Sequence, residues 1–454
     1  MNIRKKIIAS GVILLSIAVS NANAKVTAEE AAKLGGELTP MGAEKAGNAS
    51  GTIPEWTGGI QKIPAGYQND GVYINPFPDD KPLFTITKAN MGEHADKLTE
   101  GQKAMLNKYA DYKIPVYQSR RTALYPQKVY DAAKKNATAT ELISNGNGLA
   151  NFEEATPFPI PKNGLEVIWN HIVRYRGGSL ARTIGQATPM PNGDFSVVKF
   201  KDELTWLSTL TDAKEANDDN VLFYFKQVIV APSRLAGNVL LVHETIDQVK
   251  EPRRAWVYNA GQRRVRRAPQ VAYDGPGTAS DGLRTSDNFD MYNGAPDRYN
   301  WKLVDKKEMY IPYNSYKLLS KDYKYEDVIK AGHINQDLTR YELHRVWVVE
   351  ATLKEGERHI YAKRVFYIDE DSWGASEIDH YDGRGELWRV AEAHNFVFYD
   401  QKIPWYALEV LYDLQSARYL AFGLVNEANA PYDFNYERSL RDFTPAALRR
   451  SGSR

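Results

Sequence analysis

From about Asp194 onward the hydrophobic pattern of this 454-residue chain changes to a period of two, and that pattern limits the folds open to it. Phe195-Ser-Val-Val-Lys-Phe200, Val221-Leu-Phe-Tyr-Phe225, Val239-Leu-Leu-Val242 and Ala255-Trp-Val-Tyr258 have the length and residue types of strands. Asn259-Ala-Gly-Gln262 is a hairpin turn. A long polar loop from Tyr273 to Asp297 follows, and strands resume at Tyr341 to Leu353, His359 to Ile368 and Gly374 to Tyr381. Asp382-Gly-Arg-Gly385 then turns into a last strand, Glu386 to Tyr399. Strands joined by short turns pair antiparallel, because a parallel crossover needs a dozen residues or more. The expected fold is mainly antiparallel β with helices, an α+β protein built on one meandering sheet.

Two strands show the alternation most clearly. Trp388, Val390, Phe396 and Phe398 share a parity that only Glu392 and His394 break. In Tyr341 to Leu353, Trp347, Val349 and Ala351 alternate with Val346, Val348 and Glu350. A sheet with an aromatic, apolar face buries it against helices or against a ligand. The expected ligand surface is therefore Trp256, Tyr258, Trp347, Val349, Phe366, Ile368, Trp388, Val390, Phe396 and Phe398.

The chain before this sheet has another texture. Residues 1–24 carry Arg4, Lys5 and Lys6, an apolar run from Ile7 to Val19 and the small residues Ala22-Asn23-Ala24, the pattern of a secretory signal. The run is shorter than the roughly 20 residues that span a bilayer. Cleavage before Lys25 leaves 55 basic against 57 acidic residues, a net charge of about −2. That balance argues against a general nucleic-acid binder, whose affinity comes from phosphate neutralisation. The chain has no cysteine, so neither disulfides nor a lipid-bearing cysteine are expected, and the expected location is the periplasm.

Residues 25–162 alternate short helical signals with Gly/Pro-rich loops and predict a wrap laid over a scaffold built by residues 163–454. Thr27-Ala-Glu-Glu30 and Thr99-Glu-Gly-Gln102 are capping boxes, and Pro126 suits the first position of a third helix. Leu165, Ile168, Trp169, Ile172 and Tyr175 recur at helical spacing before Gly177-Gly178.

Several motifs resemble known families. Arg254-Ala-Trp-Val-Tyr-Asn-Ala-Gly-Gln-Arg-Arg-Val-Arg-Arg267, Phe366-Tyr-Ile-Asp-Glu-Asp-Ser-Trp-Gly374 and Tyr381-Asp-Gly-Arg-Gly-Glu-Leu-Trp388 resemble the strand pattern of the periplasmic LolA/LolB superfamily of lipoprotein carriers. Leu38-Thr-Pro-Met-Gly42, Gly51-Thr-Ile-Pro-Glu-Trp-Thr-Gly58, Tyr412-Asp-Leu-Gln-Ser-Ala-Arg-Tyr419 and Phe443-Thr-Pro-Ala-Ala-Leu-Arg-Arg450 resemble the exported bacterial domain-of-unknown-function family 1329. The resemblance implies a LolA-like, strongly curved half barrel with a helical cover and a long N-terminal addition. It also implies a hydrophobic cavity, and work beside an RND-type transporter and an outer-membrane protein. It supplies no catalytic residue.

Motifs that carry chemistry are scarce. No nucleophile elbow, H-E-x-x-H pair, P-loop or dinucleotide fingerprint is present, so neither a cofactor nor a metal is expected. His359, His380 and His394 lie on neighbouring strands and converge if those strands pair. Asp369-Glu-Asp-Ser-Trp-Gly374 with Glu377 lacks the calcium-loop spacing and reads as a turn. Asp281, Asp287, Asp290 and Asp297 are expected in a solvated loop.

Arg253 and Arg254 are expected to oppose Arg263, Arg264, Arg266 and Arg267 across their turn, and like charges opposed in a sheet are destabilising. The latter four are expected to form a basic rim for anionic headgroups or an acidic partner, with transient contact to a membrane surface.

The leading expectation is a periplasmic carrier or chaperone for a lipid-like ligand, without enzymatic activity. One alternative is an envelope hydrolase acting on an apolar or glycan substrate through Asp369, Asp371 and Glu377. The other is a structural subunit of an envelope complex whose aromatic face is filled by its own side chains.

Overall fold

The computed structural model describes residues 26–452 apart from 217–219, 269–270 and 272. The segment read as a signal, residues 1–24, lies outside the described residues.

In chain order the first elements are α1 (Ala28–Ala31), β1 (Phe84–Ile86), α2 (Glu100–Lys108), β2 (Ile114–Tyr117), α3 (Gln127–Ala139), a small hairpin of β3 (Glu141–Ile143) and β4 (Gly148–Ala150), and α4 (Gly164–Ile172). Both capping boxes form. Thr27 accepts from the Glu30 amide and Thr99 from the Gln102 amide, while the Glu30 and Gln102 side chains reach back to the cap. Pro126 stands at the N-cap of α3, one position before the place expected.

A first meander follows: β5 (Ser179–Ala187), β6 (Val197–Trp206), β7 (Val221–Ala231), β8 (Val239–Thr245), β9 (Arg254–Asn259) and β10 (Arg264–Arg267). After β11 (Tyr299–Pro312) and the short helix α5 (Tyr325–Val328) comes a second: β12 (Tyr341–Leu353), β13 (Lys363–Asp369), β14 (Ala375–Tyr381), β15 (Leu387–Phe398), β16 (Ile403–Asp413) and β17 (Arg418–Leu424). The chain closes with β18 (Tyr432–Asp433) and α6 (Pro445–Gly452).

All but the β3–β4 hairpin belong to one open, curved 16-stranded sheet. Antiparallel pairing of β17 with β5 joins the two meanders, with Phe422 opposite Gln186. The strand β11 flanks β12 at one end of the sheet, and β10 ends the other. A short parallel pairing, Tyr341 beside Val116 and Glu342 beside Tyr117, ties β2 to the start of β12.

The sequence pattern does not announce β5, β11, β16 or β17. Arg182, Thr183, Gly185 and Gln186 interrupt β5, and the middle of β11 carries Lys302, Asp305, Lys306, Lys307 and Glu308. All of β16 is buried, so it cannot alternate.

The expectation of one buried face also needs correction, because the centre of the sheet is covered on both sides. Every residue from Arg389 to Phe398 is buried. On one side, called inner here, lie α4 and the 273–297 segment; on the outer side lie α2 and other parts of the N-terminal region. Gly101 on α2 sits so close to β14 and β15 that a Cβ there would stand 2.3 Å from Asp379 Oδ1 and 2.6 Å from Val390 Cγ1.

Residues 273–297 were expected to be solvated. They contain no strand, yet Leu283, Met291, Tyr292 and Ala295 are buried on the inner face. The polar composition misleads because Asp287 and Asp290 are neutralised by buried arginines rather than by water. Asp281 remains exposed and pairs with Arg418.

Candidate functional site

The register aligns one inner surface across the first meander. Leu180 stands opposite Leu204, which stands opposite Phe225, which stands opposite Val242. One step along, Arg182 faces Asp202 and Asp202 faces Gln227. An apolar band of Leu180, Leu204, Phe223, Phe225, Leu240 and Val242 thus runs beside a polar one.

The 273–297 segment lies over this surface and leaves two adjoining cavities. The smaller, about 20 Å³, is lined by Arg176, Leu180, Arg182, Asp202, Leu204, Asp290, Trp405 and Glu409. The larger, about 70 Å³, is lined by Gln227, Leu240, Val242, Glu244, Arg253, Gly277 and Arg284. Phe223, Phe225, Phe289 and Asn293 border both. Phe289, from the overlying segment, packs its ring 4.9 Å from that of Phe225.

Charges hold the segment in place. Asp290 accepts from Arg174 and from Arg176 Nε (2.7 Å), and these guanidiniums hold its carboxyl far below the usual range against the opposing effect of burial. Asp287 accepts from Arg364 (2.6 Å) and lies 3.0 Å from His359 Nε2, and its carboxyl is held down in the same way. Glu409 on β16 accepts from the Met291 amide at 2.9 Å. Burial, with Asp290 nearby, pushes the Glu409 carboxyl up to about 7.

The residues expected to form one ligand surface do not converge. Trp347, Val349, Phe366 and Ile368 do share the inner face, since Val349 pairs with Phe366 and Trp347 with Ile368. Their sector is filled: Phe366 packs against Tyr292 and Trp301, and Trp347 stacks on Trp373. Val390, Phe396 and Phe398 point to the outer face, where Phe396 and Phe398 meet Tyr73. Trp388 sits at a register shift between β14 and β15, packs near Tyr361 and donates to Asp413 at 3.0 Å. Tyr258 is buried under the C-terminal tail in a cluster with Phe443 and Leu448, while Trp256 is half-buried beneath Arg267. Strict alternation along each strand does not say that the two faces have different covers. The cavity-lining sector was missed because Arg182, Asp202, Gln227 and Glu244 break its apolar pattern.

The carboxylates weighed for hydrolysis line neither cavity. Glu377 is sealed beneath α2, bonded to Thr99 Oγ1 (2.9 Å) and to Gln102. Asp371 is held by Arg121 through both oxygens (2.9 and 2.7 Å). Asp369 accepts from Ser372 and Tyr313, and its carboxyl is pushed up to about 6 by burial and by Asp371. His344, Asp369 and Asp371 do place ligand-type atoms within 4.8 Å of one another. Arg121 already occupies the position a cation would take beside Asp371, and no metal chemistry is assigned to the cluster.

The three histidines separate by face. His359 and His380 meet the 273–297 segment through Asp287 and Asn288. His394 is buried on the outer face near Tyr341, with Nε2 3.7 Å from Glu392 Oε2 and no hydrogen bond to either ring nitrogen, and burial lowers it to about 3.

Arg263, Arg264, Arg266 and Arg267 are exposed on the sheet's last hairpin. Contrary to expectation, Arg253 and Arg254 do not oppose them. Arg266 pairs with Val257 and Arg267 with Trp256, while Arg253 bonds Glu244 and Arg254 bonds Glu251.

Among the described residues no helix is long and apolar enough to cross a membrane. A family model described as a protein of unknown function, DUF1329, matches residues 85–449. An uncharacterised protein of Pseudomonas aeruginosa, PA3922, is 64% identical over 455 residues, covering all of both chains. Two solved structures show a weaker likeness. One is a DUF1329 family protein from Desulfovibrio piger, 14% identical over 60% of this chain and 90% of its own, with a TM-score of 0.38. The other is a LolA superfamily protein from Nitrosomonas europaea, 11% identical over 63% and 98%, with a TM-score of 0.37.

Proposed function

The chain belongs to the DUF1329 family, and from that premise we propose that it is a carrier or chaperone for a lipid-like ligand in the bacterial envelope, acting without catalysis. The observation that carries this reading is the pair of adjoining cavities between Phe223, Phe225 and the overlying Phe289. Binding is passive in this account. Apolar burial at about 25 cal/mol per Å² drives uptake, and a partner that competes for the ligand or displaces the cover drives release. The 273–297 segment covers both cavities, and the ligand enters by displacing Phe289, which borders them. The periplasm as the site of action, and an RND-type transporter and outer-membrane protein as partners, belong to the same proposal.

Cavities of about 20 and 70 Å³ favour a second reading, a structural subunit whose interior is complete. The two readings separate on Phe289→Ala. Binding of the neutral fluorophore N-phenyl-1-naphthylamine that is measurable in the parent and stronger in Phe289→Ala supports the carrier. No binding by either protein, both folded, supports the structural subunit.

A further inference from the structure

Arg284 lies in the 273–297 segment, is only 4% exposed, and lines the larger cavity. Its Nε and Nη1 have no hydrogen-bond partner, and no ion pair to it is present among the described residues. Asp202 and Glu409 attract it only from further away. Both are engaged elsewhere: Asp202 with Arg182 and Gln227, Glu409 with the Met291 amide. The guanidinium carbon sits 4.7 Å from the centre of the Phe422 ring, which fixes the plane of the group without neutralising it. Gly277 lies beside the Nε edge, where a Cβ would stand 3.0 Å away, so no side chain covers it from that position.

Buried charges are ordinarily paired, and an arginine keeps its charge when buried because its reference pKa is so high. The other buried arginines of the inner face follow this rule, Arg174 and Arg176 with Asp290, Arg364 with Asp287, and Arg182 with Asp202. We propose that the partner missing from Arg284 is the ligand, and that this protein carries an amphiphile with an oxyanion head, a carboxylate or a phosphate, rather than a neutral hydrocarbon. The inference rests on the carrier reading above and adds the chemistry of the head. A guanidinium fork binds such a head through two parallel hydrogen bonds. The cavity of about 70 Å³ holds a group of that size, equivalent to a few waters, with Phe223, Phe225, Leu240 and Val242 beside it for the first carbons of a tail.

The test is displacement of N-phenyl-1-naphthylamine by dodecanoate, dodecyl phosphate and dodecanol, which share a tail and differ in the head. In the parent protein at least one anion should displace the probe at a tenfold or more lower concentration than dodecanol, and the better of the two identifies the head. Arg284→Met should lose that preference, read as the ratio of anion to dodecanol displacement within one protein so that a change in probe affinity cancels, while Arg284→Lys keeps part of it. Arg284→Met should also melt at or above the parent temperature without ligand, since it removes an unpaired buried charge. Equal displacement by all three compounds overturns the proposal and leaves the carrier reading intact. Melting of Arg284→Met far below both parent and Arg284→Lys overturns it too, because Arg284 is then structural. Absence of probe binding, with no compound raising the melting temperature, overturns the carrier reading and this inference with it.

Discussion

Glu377 stands directly opposite Glu392 across the β14–β15 ladder, and both carboxyls are sealed between the sheet and the N-terminal region. Glu392 accepts from Tyr112 (2.8 Å) and Tyr341 (3.0 Å), and Asp379 follows on the same face, accepting from the Gly101 amide at 2.9 Å. Burial pushes Glu392 and Asp379 up to about 7, and burial together with these two neighbours pushes the Glu377 carboxyl well above its ordinary value. A carboxyl raised in this way holds its proton more tightly in the folded than in the unfolded chain. Its contribution is full below the ordinary carboxyl range near 4.3 and is lost as pH rises through about 7. Buried histidines such as His171, lowered to about 3, act in the opposite sense below about 6.5 and no longer vary above it. Stability should therefore fall between pH 6.5 and 8, on the order of 1 to 3 kcal/mol for the cluster. Glu392→Gln should flatten that slope in urea titrations at the two pH values, and an unchanged slope would show that the cluster is not its source.

Asp290 is the shared anion for Arg174 and Arg176, all three buried. Asp290→Asn strands two guanidiniums, and breaking a buried pair costs about 3 to 5 kcal/mol. Thermal melting should show a large drop, and loosening of the 273–297 segment should appear as faster amide exchange at Met291 and Tyr292.

Gly101→Val places branched atoms where Asp379 and Val390 already stand. The expected cost is about 1 to 3 kcal/mol from overpacking. Because α2 docks through this contact, limited proteolysis should cut near residues 97–109 sooner than in the parent.

The arginine hairpin is exposed, so Arg263→Glu with Arg266→Glu should change stability by less than about 0.5 kcal/mol. Flotation with phosphatidylglycerol vesicles should show weaker association than the parent, with the parent's own association fading as salt screens charges over about 8 to 10 Å. Equal flotation at low salt would remove the hairpin from any docking role.

The antiparallel sheet was legible because β6 to β9 and β12 to β15 carry turn signals and β-type residues, and both capping boxes named their helices in advance. The cover of each face was not legible. Val349 and Val390 are both inward parts of alternating strands in the sequence, yet one lies on the inner face and the other meets α2, a difference set by pairing over long chain distances. The candidate site was hidden for a related reason. Arg284 reads as an ordinary loop arginine, and only the fold reveals that it is buried among Phe223, Phe225 and Phe289 without a counter-ion.

Native mass spectrometry of the protein isolated from its own cell envelope tests the carrier claim most directly. A fraction of molecules should carry a small amphiphile, released on activation and recovered by solvent extraction. That fraction should fall after an excess of dodecanoate is added. A single unliganded mass that persists after incubation with envelope lipid extract would contradict that claim.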